Sequence, residues 1–210
     1  MKIGVLISGG GTNLQAIIDG INDGTIAGKI KLIISNNEDA YGLVRGKKAG
    51  IESIYIDPTG HDITSYSKLL LAEFEKRKID LIVLAGFLKI LSKEFIEKYE
   101  NRIINIHPSL IPSFSGKGFY GERVHEAVLE YGVKFTGATV HFVDEDADTG
   151  PIILQDIVEV KADDTVDSLK EKVLKVEHRL LVEAVKLYCE NRLLIDKRKV
   201  SCRDFPIRSD

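Results

Sequence analysis

The first half of the chain alternates short apolar runs with longer segments in which apolar residues recur at helical spacing. The runs "KIGVLIS", "KIKLIIS", "IESIYI", "IDLIVLAG" and "RIINI" are typical of parallel strands buried on both faces. After the first run, Leu14, Ile17 and Ile21 fall on one face of a predicted helix. This order predicts right-handed crossovers and an α/β fold with a doubly wound, mostly parallel, Rossmann-like sheet.

The second half has a different pattern. The segment "KFTGATVHFVDE" alternates and is rich in β-branched residues, which predicts a strand, here an antiparallel one. The segment "GPIILQDIVEV" predicts another strand, and a long amphipathic helix follows, capped by Thr165. The tail is predicted to add a short edge strand.

Ligands of doubly wound sheets bind beyond the carboxyl ends of the strands, and three unusual loops lie at that edge. In "SGGGTN", Gly11, Thr12 and Asn13 precede a helix and predict a site for a phosphate or similar anion. The loop is not a Walker A motif, and Leu14 stands where a dinucleotide fingerprint would have its third glycine. The alternative is a tight turn with Thr12 as an ordinary helix cap.

The loop "AGFLKIL" continues an apolar run past the end of its strand. An apolar loop beside a ligand cleft suits a flat hydrophobic ligand; the alternative is a loop tucked under its own helix. The loop residues concerned are Leu88, Lys89, Ile90 and Leu91.

The motif "NIHPS" ends the fifth predicted strand. Strand alternation puts Asn105 and His107 on one face, where an amide donor and a titratable imidazole could serve catalysis; a structural histidine is the alternative. Downstream, "DEDADTGP" packs four acids into a turn, which is usually only solvated. One of these carboxylates could raise the pKa of His107, but spacing alone does not say which.

Composition narrows the function classes. With 210 residues and 44% hydrophobic content, the chain can bury a core without disulfides. Its two cysteines, Cys189 and Cys202, form no CxxC motif, and no histidine pair has metal-binding spacing, so no metal is expected. A net charge of −3 does not favour nucleic-acid binding, and the basic tail over residues 196–210 is interpreted as solvated surface. The first apolar run is too short to span a membrane, so we expect a cytoplasmic protein.

Several segments together resemble one family. "KIGVLISGGGTNLQAII", "VLAGFLKILS", "NIHPSLIPSFSGKG", "GATVHFVDEDADTGPIILQ" and "VEHRLLVEAV" are similar to the glycinamide ribonucleotide formyltransferases, in order and from residue 1 to about residue 192. The resemblance implies transfer of a formyl group from 10-formyltetrahydrofolate, as co-substrate, to the amine of glycinamide ribonucleotide in purine synthesis. It also implies a single domain, with a nucleotide-binding half over residues 1–105, a catalytic half over 106–192 and a tail over 193–210.

The resemblance assigns roles to individual residues. Asn105, His107 and Asp148 match the catalytic trio, so the resemblance selects Asp148 among the four acids. The resemblance implies that Asn105 and a protonated His107 stabilise a tetrahedral intermediate, with Asp148 holding His107 in its cationic form. Gly11, Thr12, Asn13 and Glu177 match positions that bind the nucleotide substrate. The folate positions are matched by Leu88, Lys89, Ile90, Leu91, Asn105, Asp144, Glu145, Asp146, Ala147 and Asp148.

Four further residues receive expectations from the same resemblance. His141 matches a position with a supporting role. The family's basic residue for the folate glutamate falls near Ile63, where this chain is apolar, so Lys68 is the substitute. In the glycine-rich segment over residues 116–121, Lys117 is placed near the substrate phosphate.

Other functions stay open at this point. Methionyl-tRNA formyltransferases share the trio but need a further carboxyl-terminal domain, and formyltetrahydrofolate hydrolases add an amino-terminal one; we expect neither domain here. A non-catalytic nucleotide-binding sensor is the alternative from another class. The expected partners are small molecules, with no nucleic acid and no membrane, and the expected state is a monomer or homodimer.

Overall fold

A computed structural model describes residues 1–203 of the chain as one nine-stranded sheet flanked by helices. The strands are β1 Lys2–Ile7, β2 Lys29–Ser35, β3 Ser53–Tyr55, β4 Leu81–Leu84, β5 Ile103–His107, β6 Phe135–Phe142, β7 Ile152–Glu159, β8 Leu193–Asp196 and β9 Lys199–Cys202. The helices are α1 Thr12–Asn22, α2 Tyr41–Lys48, α3 Ile63–Lys76, α4 Lys93–Lys98, α5 Glu122–Tyr131 and α6 Val166–Cys189.

The sheet order is β3-β2-β1-β4-β5-β6-β7-β9-β8. The first five strands in this order are parallel, which confirms the predicted doubly wound sheet. β6 pairs antiparallel with both β5 and β7, as the alternation in its sequence predicts. The tail adds two strands rather than one, because β8 and β9 form an antiparallel pair and β9 pairs with β7. Residues 204–210 of the basic tail lie outside the described residues.

The core has two halves, one on each face of the sheet. Side chains alternate along β1, so Val5 and Ile7 belong to the half that contacts α1 and α6, whereas Leu6 belongs to the half that contacts α3 and α4. Burial on both faces explains why the parallel strands have continuous apolar sequences.

Helix ends follow the local sequence. The Ser92 side chain accepts a hydrogen bond from Phe95 N at the start of α4, and Thr165 forms a capping box with Ser168 at the start of α6. α1 differs, because its cap is Gly11 and no side chain caps it. The alternative of Thr12 as an ordinary cap is therefore wrong. Among the helices of residues 1–203, none is both long and apolar enough to cross a bilayer.

Candidate active site

The loops at the carboxyl ends of the strands are joined to one another by Ser8, the residue that follows β1. Ser8 N donates to Gly86 O at 3.1 Å, and Leu88 N donates to Ser8 Oγ at 2.8 Å. The same hydroxyl donates to Asn36 Oδ1 at 2.5 Å, beyond the end of β2. Ser8 thus links the loops that follow β1, β2 and β4.

The start of α1 has the features of an anion site. Gly11 has φ 69°, and a Cβ there would lie 2.7 Å from Gly42 Cα, so only glycine lets α2 approach this closely. Arg45 Nε donates to Gly10 O at 2.8 Å and braces the loop from α2. The uncapped N–H groups of the first turn and the positive end of the helix dipole are therefore available to a phosphate.

Asn13 and Glu177 meet behind this loop, where α1 packs against α6. Asn13 Nδ2 donates to Glu177 Oε2 at 2.7 Å, and both side chains are buried. Burial raises the pKa of Glu177 above its ordinary value, and the hydrogen bond from Asn13 opposes this only in part. Asn13 Oδ1 is buried with no partner among the described residues, so a polar acceptor is held close to the anion site.

The apolar loop after β4 is split between the core and the surface. Leu91 is buried, whereas Leu88 is 58% and Ile90 63% exposed. The interpretation of a loop tucked under its own helix holds for Leu91 and is wrong for Leu88 and Ile90. Two bulky aliphatic side chains therefore stand free at the edge where ligands of this fold class bind.

The predicted trio comes together where β5 pairs with β6. Asn105 and His107 lie on one face of β5, opposite His141 and Thr139 of β6. Asp148, between β6 and β7, returns to the same place. Its Oδ1 lies 3.4 Å from Asn105 Nδ2, and its Oδ2 lies 3.4 Å from His107 Nδ1. An amide, an imidazole and a carboxylate therefore share one small site.

The backbone of the connection between β6 and β7 places the Asp148 carboxylate beside β5. This residue has a left-handed backbone with φ 58°, which is uncommon outside glycine. A Cβ at Gly150 would lie 1.8 Å from Phe142 O, so the hairpin closes only with glycine there. Gly116 N donates to Asp148 Oδ2 at 2.9 Å and fixes the carboxylate from the other side.

Both ring nitrogens of His107 face acceptors. Nε2 lies 2.9 Å from Phe114 O, and because a carbonyl can only accept, this nitrogen carries a proton. Nδ1 faces the Asp148 carboxylate, an arrangement that favours a second proton on the ring. His107 is 4% exposed, however, so a charged ring is costly.

These opposing effects correct one expectation. Burial is the largest effect and lowers the pKa of His107 below its ordinary value; Asp148 and the Phe114 carbonyl raise it, and His141 lowers it further. Asp148 therefore offsets burial in part and does not by itself hold His107 in the cationic form. Burial would raise the pKa of Asp148, but His141, His107 and Gly116 N together hold it below its ordinary value, so Asp148 is ionised.

His141, to which the resemblance gives a supporting role, contacts Asn105 and Asp148 of the trio directly. Its Nδ1 lies 2.7 Å from Phe142 O, and its Nε2 lies 3.1 Å from Asn105 Nδ2. His141 Nε2 also lies 3.6 Å from Asp148 Oδ1. The contact with His141 thereby helps to orient the Asn105 amide.

Two backbone groups of the site, Phe114 C=O and Gly116 N–H, have no side-chain signature. The proline and glycine content of "PSLIPSFSGKG" is the signal in the sequence that points to a fixed loop at this place.

The other predicted folate residues form the surface of the β6–β7 loop. Thr149 Oγ1 donates to Asp144 Oδ1 at 2.5 Å, and Lys93 Nζ lies 2.8 Å from Glu145 Oε1, which ties the loop to α4. Asp146 and Ala147 are exposed, as are Lys68, Lys89 and Lys117. Among residues 1–203, no three His, Cys, Asp or Glu side chains are grouped as metal ligands would be.

Known proteins are similar to this chain in sequence and in fold. A phosphoribosylglycinamide formyltransferase of the chloroplast from Arabidopsis thaliana is 40% identical over 195 residues, which is 91% of this chain and 66% of that relative's length. The phosphoribosylglycinamide formyltransferase of Escherichia coli K12 is 39% identical over 92% of this chain and 89% of its own. The crystal structure of glycinamide ribonucleotide transformylase 1 from Symbiobacterium toebii has a TM-score of 0.92 and 43% identity, covering 97% of this chain and 94% of that one.

The match to the formyl transferase family itself extends over residues 1–185, a range that includes all three residues of the trio. The chain therefore belongs to the formyl transferase family.

Proposed function

We propose that this protein transfers the formyl group of 10-formyltetrahydrofolate to the primary amine of glycinamide ribonucleotide, a step of purine synthesis. The observation that carries the proposal is the meeting of Asn105, His107 and Asp148 at the edge of a sheet in which β1, β4 and β5 are neighbours. The loop after β1 offers an anion site, and the loop after β4 offers exposed apolar side chains. Asn105 and His107 lie at the end of β5, next to the loop after β4, and the β6–β7 connection brings Asp148 to them.

The two substrates bind to different surfaces of the site. The phosphate of the nucleotide binds the first turn of α1 at Gly11, Thr12 and Asn13, and Glu177 contacts the rest of the nucleotide. The flat pteridine ring binds the loop over residues 88–91 and the β6–β7 loop over residues 144–148. The formyl group and the amine then meet at the trio.

The reaction is a direct acyl transfer. The amine lone pair forms a bond to the formyl carbon, and the carbonyl electron pair moves to oxygen. Asn105 Nδ2 lies a long 3.4 Å from Asp148 Oδ1, so the new oxyanion can draw this donor toward itself, and His107 Nδ1 becomes a second donor once the ring gains a proton. Donors placed in advance around a developing charge are the usual source of large rate effects.

Protons must move as the intermediate collapses. Burial favours neutral His107 before reaction, and the negative charge that develops on the oxygen raises the proton affinity of the ring. Asp148 is ionised and accepts the proton that the amine loses. His107 shares this proton through Nδ1, 3.4 Å from the carboxylate. The carbon–nitrogen bond to the folate then breaks as the folate nitrogen takes up the same proton, which leaves His107 neutral and Asp148 ionised again.

A turnover assay tests the function against its alternatives. The protein is given 10-formyltetrahydrofolate with and without glycinamide ribonucleotide, and both formylated nucleotide and formate are measured. We expect formylated product that requires the nucleotide. Formate release alone would replace the proposal with a formyltetrahydrofolate hydrolase. Binding of nucleotide without turnover would replace it with a sensor.

Variants of the trio test the mechanism. We expect His107→Ala and Asp148→Asn each to lower kcat by roughly 10²–10³, the usual loss when one such group is removed. Circular dichroism and thermal unfolding check that the fold survives. Near-full activity in either folded variant would contradict the proposed roles.

A further inference from the structure

The loop that follows β5 is held in an unfavourable backbone conformation by aromatic rings. Phe114 has φ 50°, in the left-handed region that residues with a side chain rarely adopt. Its ring lies 6.2 Å from that of Phe119 and 5.9 Å from that of Tyr131, at interplanar angles of 76° and 79°. Both are edge-to-face contacts, a preferred geometry for aromatic pairs. We call these three rings the aromatic cluster.

Two backbone groups beside this cluster contact His107 and Asp148, which we call the catalytic pair. Phe114 O lies 2.9 Å from His107 Nε2, and Gly116 N donates to Asp148 Oδ2 at 2.9 Å. Only one residue separates the two groups, so a small change of dihedral angle at Phe114 moves both together.

Phe119 closes the loop on itself. Its backbone N donates to Gly116 O at 3.1 Å, which turns the chain back so that its ring reaches Phe114. A disfavoured backbone conformation persists only where the surroundings hold it. Without the ring of Phe119, Phe114 keeps only the edge-to-face contact with Tyr131, so its left-handed conformation is held less firmly and its carbonyl can rotate away from His107.

We propose that Phe119 is a positioning residue that acts on the catalytic pair through Phe114. By packing against Phe114, it keeps the Phe114 carbonyl on His107 and the Gly116 N–H on Asp148. The inference rests on the proposed function, because it assigns Phe119 a role in the same site. Phe119 acts on the trio through the backbone of its own loop, since its ring contacts Phe114 and its backbone N donates to Gly116 O.

The test compares three variants. Phe119→Ala removes the ring, and Phe119→Tyr keeps it as a rescue. Tyr120→Ala is the matched control, because the exposed Tyr120 ring lies next to Phe119 in sequence and stacks on Arg123 at 5.0 Å instead of joining the aromatic cluster. Thermal unfolding and circular dichroism establish that all three are folded.

Two readouts separate a positioning role from a merely structural one. In protein with labelled histidine and no substrate, NMR reports which nitrogen of His107 carries the proton. We expect the Nε2–H signal in the unaltered protein, Phe119→Tyr and Tyr120→Ala, and its loss or shift in Phe119→Ala. In turnover, we expect Phe119→Ala to lower kcat roughly 10- to 100-fold, as small misplacements of catalytic groups do, with the KM for glycinamide ribonucleotide changed less than twofold.

The NMR readout needs no turnover, so it tests the positioning even if the proposed function fails. An unchanged His107 signal in Phe119→Ala overturns the inference. An equal loss in Tyr120→Ala, or no rescue in Phe119→Tyr, overturns it too, because the effect would then come from the loop as a whole rather than from the ring.

Discussion

At the scale of single residues, burial and a neighbouring carboxylate have opposite effects on the pKa of His107. Burial lowers the pKa of this imidazole more than Asp148 raises it. Neutral His107 therefore predominates near neutral pH, and its charge state responds to small changes in the site. This sensitivity suits a group that must gain and lose a proton within one turnover.

Replacing Asp148 by Asn tests the effect of the carboxylate on the pKa of His107. The substitution removes the largest effect that raises the pKa of His107, so we expect the NMR titration midpoint of the ring to move to lower pH. The acid limb of the kcat/KM profile should move the same way in whatever activity remains, because that limb reports the loss of neutral imidazole. A midpoint that stays in place or rises would show that Asp148 does not act on His107 in solution.

Glu177 presents the opposite case, a carboxyl whose pKa is raised by burial. Glu177→Gln keeps an acceptor for Asn13 Nδ2 and stays neutral, so we expect little loss of stability in urea unfolding. Glu177→Ala leaves that buried donor unpaired and should cost about 1–3 kcal/mol. Because the pKa of Glu177 is raised in the folded protein, the unaltered protein loses stability as pH rises through that pKa. The Gln variant does not titrate there, so its free energy of unfolding should increase relative to that of the unaltered protein as pH rises. Equal stability of the Gln and Ala variants would contradict this account.

At the scale of elements, the β6–β7 hairpin decides where the carboxylate lies. A methyl group at Gly150 would lie 1.8 Å from Phe142 O, which is backbone and cannot swing aside. We expect Gly150→Ala to lower the free energy of unfolding by about 1–3 kcal/mol or more and to cost at least tenfold in formyl transfer. Gly10→Ala is the stability control, because a Cβ there meets nothing within 4 Å. Equal stability of the two variants would contradict this prediction, because it would mean that the hairpin backbone can shift to make room for a methyl group at residue 150.

Most elements could be predicted from the sequence, because each has a local cause. The β2 strand matches its prediction over residues 29–35, and Thr165 caps its helix as expected. The second tail strand was missed because β8 and β9 are short and only half-buried, so their apolar pattern is weak.

The site is less accessible to sequence reasoning, since its parts come from distant places in the chain. Alternation puts Asn105 and His107 on one face, but only the resemblance selects Asp148 from four nearby acids. Strand register places His141 next to Asn105, and the backbone dihedral angles of Phe114 place its carbonyl next to His107. Neither register nor dihedral angle can be read from residue identity.

At the scale of the whole molecule, buried histidines predict how stability depends on pH. His125 of α5 is 3% exposed, and burial lowers its pKa to about 4; the charge of Lys170 acts in the same direction, Glu122 opposes it, and His107 lowers it slightly. His107 and His178 also have pKa values below the ordinary one. All three rings are therefore neutral in the folded protein at pH values where they would be charged in the unfolded chain.

The sign of the effect follows from proton counting. Below about pH 6.5 the unfolded chain binds protons at these histidines that the folded protein does not, so stability falls as pH falls. For His125 the loss continues to about pH 4 and, at about 1.4 kcal/mol per unit, reaches on the order of 3 kcal/mol. Urea unfolding from pH 7 to pH 4 should show this decline, and His125→Gln, which cannot titrate, should make it shallower. An identical slope in that variant would mean that the ring is hydrated or paired in solution, and that the acid sensitivity comes from other groups.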